Sequence, residues 1–175
     1  MSQYNKCVFC RQMSQPNTEY FYQDKDGLYV AKWDFMPERP GHALVIPKRH
    51  VQFFHELSEK ELEMLGPAVE KAEEIILKTN LMEMYETVFS NPTNPLSQKF
   101  INEAKQMLKK IGNRPPDGFN DGINDGPSAG QTVHHLHWHI MPRWKGDVAN
   151  PHGGMRHMFD SRDQTTSESE QSKNL

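Results

Sequence analysis

A chain of 175 residues and 20.3 kDa has the usual size of one domain, so a single core is expected and not a string of modules. Only 35% of residues are hydrophobic and the mean hydropathy is -0.81, but the polar excess gathers near the C-terminus and leaves the rest apolar enough to fold. The 20 Lys and Arg against 23 Asp and Glu give a net charge of -3, which excludes a function resting on broad electrostatic attraction to nucleic acid.

No apolar run is long enough for a membrane span, and the opening MSQYNKCVFC lacks the basic-then-apolar pattern of a secretory signal. A cytoplasmic protein is expected, with neither membrane nor nucleic acid as partner. Cys7 and Cys10 are too few for a disulfide framework. In a reducing compartment a C-x-x-C pair serves metal binding or redox chemistry, or the two are small buried residues.

Alternation over Gly27–Trp33 predicts a strand, Pro40-Gly41 a turn, and His42–Ile46, an apolar run ending at Pro47, an antiparallel neighbour. Ser58-Glu59-Lys60-Glu61 has the form of a capping box, so a helix is expected from there to about Asn80. Its apolar stripe is Leu62, Leu65, Val69, Ala72 and Ile76, and Gly66-Pro67 is expected to kink or restart it. After a break at Asn91–Pro95, Ser97 opens a second helix through Ile101, Ala104, Leu108 and Ile111, ended by Gly112. Lys109 and Lys110 suit the negative end of that helix and are given no other role. Asp117–Asn124 reads as a glycine-studded strand, Asp125–Gly130 as a tight connection, and Gln131–Met141 as a further strand. Residues 1–159 are expected to form one domain, and the polar tail from Asp160 to Leu175 to be disordered.

On a strand, His135, His137 and His139 project from one face while Leu136, Trp138 and Ile140 project from the other. Three adjacent imidazoles are poor strand formers and poor packers, so a chemical role is the better reading. Two roles suit them: metal ligation, or nucleophilic attack on phosphorus by an imidazole nitrogen. The preceding loop favours an anion, because Gly126, Ser128, Ala129 and Gly130 let backbone amides and the Thr132 hydroxyl approach closely. His134 points the other way and is read as an ordinary surface or core residue.

The run His135-Leu136-His137-Trp138-His139-Ile140-Met141 resembles the signature of the histidine triad (HIT) superfamily, and the likeness extends over Asn124–Arg143 and Asp34–His50. The resemblance implies an α+β fold, an antiparallel sheet of about five strands with helices packed on it, usually a homodimer, that binds a nucleotide and cleaves at its α-phosphorus. It makes His137 the nucleophile, forming a nucleotidyl-phosphohistidine that water resolves, with His139 on the α-phosphate and His135 supporting the row. By position, Asp34 falls on the ribose hydroxyls and Phe35 on the base pocket; Asn124, Gly130, Gln131 and Thr132 fall on phosphate and ribose contacts. His42 lies near the site without an assigned role. Zinc-binding relatives would place a structural zinc on Cys7, Cys10, His50 and His135; no organic cofactor is implied.

In the family, hydrolases keep a histidine where this chain has His139, and nucleotidyl transferases typically carry glutamine. Within the hydrolases the chain looks like the dinucleoside polyphosphate branch, whose substrates include diadenosine tetraphosphate. The alternatives are a purine nucleoside phosphoramidase and a nucleotide-binding sensor or scaffold. The stretch from Tyr85 to Gln106 departs from the family as an apparent insertion, and His152, Arg156 and His157 are further candidates for distal phosphates.

Overall fold

The computed structural model describes residues 7–16, 18–90, 94–149 and 151–152. In chain order the elements are α1 (Val8–Met13), β1 (Tyr22–Gln23), β2 (Tyr29–Trp33), β3 (Ala43–Pro47), α2 (Glu59–Lys78), α3 (Leu81–Thr87), α4 (Pro95–Ile111), β4 (Gly118–Gly122) and β5 (Trp138–Arg143). The strands form one antiparallel sheet in the order β1-β2-β3-β5-β4. The expected pair is present, with Tyr29 opposite Pro47 and Trp33 opposite Ala43. The sheet and the helices named lie within residues 7–144; the described residues beyond Trp144 belong to a second small unit, in which Gly146 adopts φ 84°. His152 falls there, and Arg156, His157 and the tail lie outside the described residues.

Strand alternation decides what each face does. Tyr29, Ala31, Trp33, Ala43, Val45 and Ile140 join Ala68, Ala72, Ile76, Ile101 and Leu108 in the main core. Val30, Leu44 and Ile46 face the other way and pack on Phe9 of α1. That second face carries the chemistry. The stretch from Tyr85 to Gln106 is part of the main core, to which it gives Tyr85, Phe89, Ile101 and Ala104.

Helix α2 runs unbroken through Pro67, so the expected restart does not occur. Glu63, whose carbonyl loses its amide partner to the proline, is exposed, as are Gly66 and Pro67, so this turn of the helix lies on the solvent side. The expected stripe faces the core except at its start: Ala72 and Ile76 are buried with Ala68, and Leu65 and Val69 pack against them, whereas Leu62 is 44% exposed. Helix α4 starts at Pro95, two residues before Ser97, because Asn94 accepts from the Leu96 amide at 2.9 Å. Gly112 closes it at φ 82°, as expected.

The capping box at Ser58 is formed and does more than start a helix. The Glu61 amide donates to Ser58 Oγ at 3.3 Å, and Glu61 Oε2 accepts from the Ser58 amide at 2.8 Å. The same carboxylate receives Arg49 Nε at 3.0 Å and Arg49 Nη2 at 2.6 Å, which ties the segment carrying His50 to the start of α2. The Arg49 guanidinium outweighs burial and holds the Glu61 carboxyl down at about 2. A depressed carboxylate stabilises the fold above its ordinary value of 4.5 and loses that contribution as pH falls through about 2. Glu61→Ala is therefore expected to cost about 2–4 kcal/mol at pH 7, and less at pH 3. Denaturant melts at both pH values check this, and an equal deficit at the two would contradict it.

The turn before β3 places His42. Gly41 has φ 73°, its amide donates to the buried Tyr85 hydroxyl at 3.0 Å, and a Cβ there would lie 2.9 Å from Leu81 Cδ2. Glycine is required on both counts.

Candidate active site and metal centre

The three triad histidines do not share one strand face. Strand β5 begins only at Trp138, and the expected strand from Gln131 is absent. The reason lies in the backbone: the His135 amide turns back to Val133 O at 2.8 Å and the Leu136 amide donates to Val51 O at 2.7 Å, so neither is free for a ladder. His139 alone stands on the strand, opposite Leu44 of β3.

Each ring is fixed by one hydrogen bond that also fixes its proton. His135 is fully buried and its Nε2–H donates to Pro47 O at 2.8 Å, which turns Nδ1 toward the cysteines. His137, 7% exposed, donates Nδ1–H to the His135 carbonyl at 2.8 Å, so the lone pair is on Nε2. The Glu38 amide donates to His42 Nδ1 at 3.3 Å, which puts the His42 proton on Nε2, 3.0 Å from His139 Nδ1. His139 therefore carries its own proton on Nε2, a buried atom with no partner among the described residues. The His137 and His139 rings stand 4.8 Å apart. Burial pushes His135 and His139 down to about 4 and lowers His42 and His137, against the pull of Asp34 on the last two. The row is neutral at physiological pH: one free lone pair beside one free donor.

Asp34 follows β2, half-buried, with Oδ1 accepting from the Met36 amide at 3.0 Å and Oδ2 3.6 Å from His42 Nδ1. Phe35 is 46% exposed with its ring edge-on to Phe89 at 5.7 Å, which is not the environment of a core residue. In the loop after β4, Asn124 lies beside Gly130, whose φ of 91° suits glycine. Gln131 is buried and its amide is engaged at both ends, Oε1 accepting from the Gly126 amide at 3.2 Å and Nε2 donating to Gln52 O at 2.9 Å. It braces the loop from inside. Thr132 is exposed and lines a cavity with Cys7, His50 and His134.

The four expected metal ligands converge. Cys7 precedes α1 and Cys10 sits in its first turn. Cys7 Sγ is 3.4 Å from His135 Nδ1, and Cys10 Sγ is 3.2 Å from His50 Nδ1 and 3.5 Å from His135 Nδ1. All four donor atoms lie within 4.8 Å of one another. A tetrahedral ion with bonds of ~2.3 Å to sulfur and ~2.0 Å to nitrogen has S···N edges near ~3.5 Å, so these donors already stand at tetrahedral spacing. Burial and the neighbouring Cys7 push the Cys10 thiol up to about 12, a cost that a divalent cation between the sulfurs reverses. The donor set fits a metal, and the Pro47 carbonyl on His135 orients that ring for it.

Two contributors were not singled out in the sequence. Phe9, between the two cysteines, packs edge-on against His135 at 5.7 Å and His137 at 5.3 Å, walling the histidine row. Lys32 is buried beneath Phe35. It sits in the alternating run of β2, where nothing local signals that α1 closes over that face.

A family model described as HIT domain matches residues 75–146, and one described as scavenger mRNA decapping enzyme C-term binding matches residues 6–91. An uncharacterized HIT-like protein of Methanocaldococcus jannaschii is 31% identical over 142 residues, 81% of each chain. The asymmetrical bis(5'-nucleosyl)-tetraphosphatase of Schizosaccharomyces pombe is 33% identical over 75% of this chain and 53% of its own length. An AP-4-A phosphorylase of Mycobacterium tuberculosis is 32% identical over 77% of this chain and 56% of its own, so the chain spans about half of each of these two. A hypothetical histidine triad nucleotide-binding protein of Sulfolobus tokodaii, of known structure, is 30% identical with a TM-score of 0.51 over 81% of this chain and 71% of that one. Likeness of that extent makes the chain a member of the HIT family.

Proposed function

We propose that this HIT protein hydrolyses dinucleoside polyphosphates at the α-phosphorus, with His137 as nucleophile. The observation that carries the reading is the pairing of a lone pair on His137 Nε2 with an unpartnered N–H on His139 Nε2, in one buried, neutral cluster. Nε2 of His137 forms a bond to phosphorus as the bond to the bridging oxygen breaks, and the polyphosphate leaves with that electron pair. The imidazolium so formed keeps its Nδ1 proton on the His135 carbonyl, which stabilises the positive charge. Water then attacks phosphorus, the P–N bond breaks, and the nucleoside monophosphate departs. His139 Nε2–H donates to the non-bridging oxygens throughout. Asp34 accepts from the ribose hydroxyls, Phe35 flanks the base, and Asn124, Gly130 and Thr132 line the phosphate path, with Gln131 holding their loop in shape.

The Cys7, Cys10, His50 and His135 set binds zinc in this reading, as a cross-link between α1 and the row that does not itself touch substrate. The unit is a homodimer, for which β4, the longer open edge of the sheet, offers strand pairing.

A second reading comes from the relative named a phosphorylase: phosphate in place of water as the acceptor. Diadenosine tetraphosphate incubated in oxygen-18 water, with and without added phosphate, separates the two. Hydrolysis gives AMP carrying heavy oxygen together with ATP; phosphorolysis gives ADP and ATP only when phosphate is present. Turnover of adenosine phosphoramidates alone would replace the polyphosphate reading, and no turnover despite nucleotide binding would leave a sensor.

A further inference from the structure

Lys32, in the middle of β2, is 4% exposed and is the only lysine or arginine among the buried described residues. Its Nζ donates to Gln12 Oε1 at 2.8 Å and stands 4.1 Å from the centroid of the Phe35 ring. Among the described residues no carboxylate pairs with it at ion-pair distance. A buried cation held by an amide and an aromatic face is a costly way to fill a sheet, and Val30, on the same face, shows that an apolar side chain fits there. An ammonium has three N–H donors and Gln12 takes one.

The spare donors border a cavity of about 600 Å³ lined by Gln12, Tyr20, Lys32, Trp33, Phe35 and Phe89. Aromatic walls from Trp33, Phe35 and Phe89 suit a planar heterocycle, and the Glu19 carboxylate on the polar rim, with Asp34 two residues from Lys32, disfavours a phosphate there. We propose that this cavity holds the nucleobase and that Lys32, steadied by Gln12, selects a 6-oxopurine, guanine or hypoxanthine, over adenine. Guanine presents two adjacent acceptors, O6 and N7, on the edge where adenine presents one acceptor and an amino donor. A lysine has no acceptor for that amino group, so adenine meets donor against donor. Burial lowers the Lys32 pKa to about 8, against the pull of Asp34, and the group remains an ammonium at neutral pH. The inference rests on the nucleotide-binding reading and adds the base to it.

Calorimetric titration of GMP, IMP and AMP into the wild type, Lys32→Met and Asp34→Asn tests it without any turnover. In the wild type GMP and IMP bind roughly ten- to a hundredfold tighter than AMP. Lys32→Met brings the three within about threefold, while Asp34→Asn weakens all of them and keeps their ratio. Lys32→Met also melts at the same or a higher temperature, since an uncompensated buried charge is gone; a lysine with only a structural task would lower the melt and leave the ratio alone. AMP bound as tightly as GMP by a protein that still cleaves polyphosphates overturns the base selection only. Failure to bind any of the three mononucleotides overturns it together with the proposed function.

Discussion

Replacing His137 with asparagine lowers nucleotide cleavage by roughly 10,000-fold or more, with little change in nucleotide affinity. The size follows from what the ring supplies. No other imidazole of the row has a free lone pair directed at substrate, because His135 Nδ1 faces the cysteines and His139 Nδ1 accepts from His42. Asparagine keeps a polar group of similar reach and so should leave the Phe9 wall in place. Single-turnover kinetics beside equilibrium binding separate chemistry from affinity. A loss under tenfold would move the nucleophile elsewhere, and a parallel loss of binding would show that the ring is needed to shape the pocket.

The second large effect concerns the metal centre. Cys7→Ser combined with Cys10→Ser is expected to abolish zinc retention and to lower Tm by about 10 °C. A site at a thousandfold excess of metal over its Kd stabilises by about 4 kcal/mol, and each kcal/mol moves Tm by roughly 2–4 °C at this chain length. Activity should fall as well, because the carbonyl that orients His137 belongs to His135, one of the four candidate ligands. Calorimetric melts with elemental analysis of the variant, of chelator-treated wild type and of that sample resupplied with zinc check the effect. A metal-free wild type that melts with the variant would reduce the cluster to two buried thiols and two histidines.

Local signals made much of this legible. The alternating run before Trp33, the turn at Gly41 and the apolar run to Pro47 give β2 and β3 in register because pairing of near neighbours needs little beyond pattern and turn. The box at Ser58 and the glycine at 112 mark helix ends by the same short-range logic. What stayed hidden depends on chain segments far apart. The late start of β5 is set by Val51, over eighty residues earlier, taking the Leu136 amide. The convergence of the four candidate metal ligands was reached through a family likeness and not from spacing, since His50 and His135 are brought to α1 only by the finished sheet. The likeness put His42 near the site without a role, which comes only from the proton it shares with His139, and Lys32 is known only by the helix that closes over it.

The hydrogen bond from the Glu38 amide to His42 has a consequence for inheritance. It sets the direction in which protons are shared along His42 and His139, and so which atom is left to greet the phosphate. Its origin is main chain, so almost any side chain at position 38 supplies the same donor. Drift at that surface position leaves the polarity of the site untouched, and only proline, which has no amide hydrogen, would release it. The orientation of the proposed reaction is thus stored in the one part of the polypeptide that ordinary mutation does not rewrite.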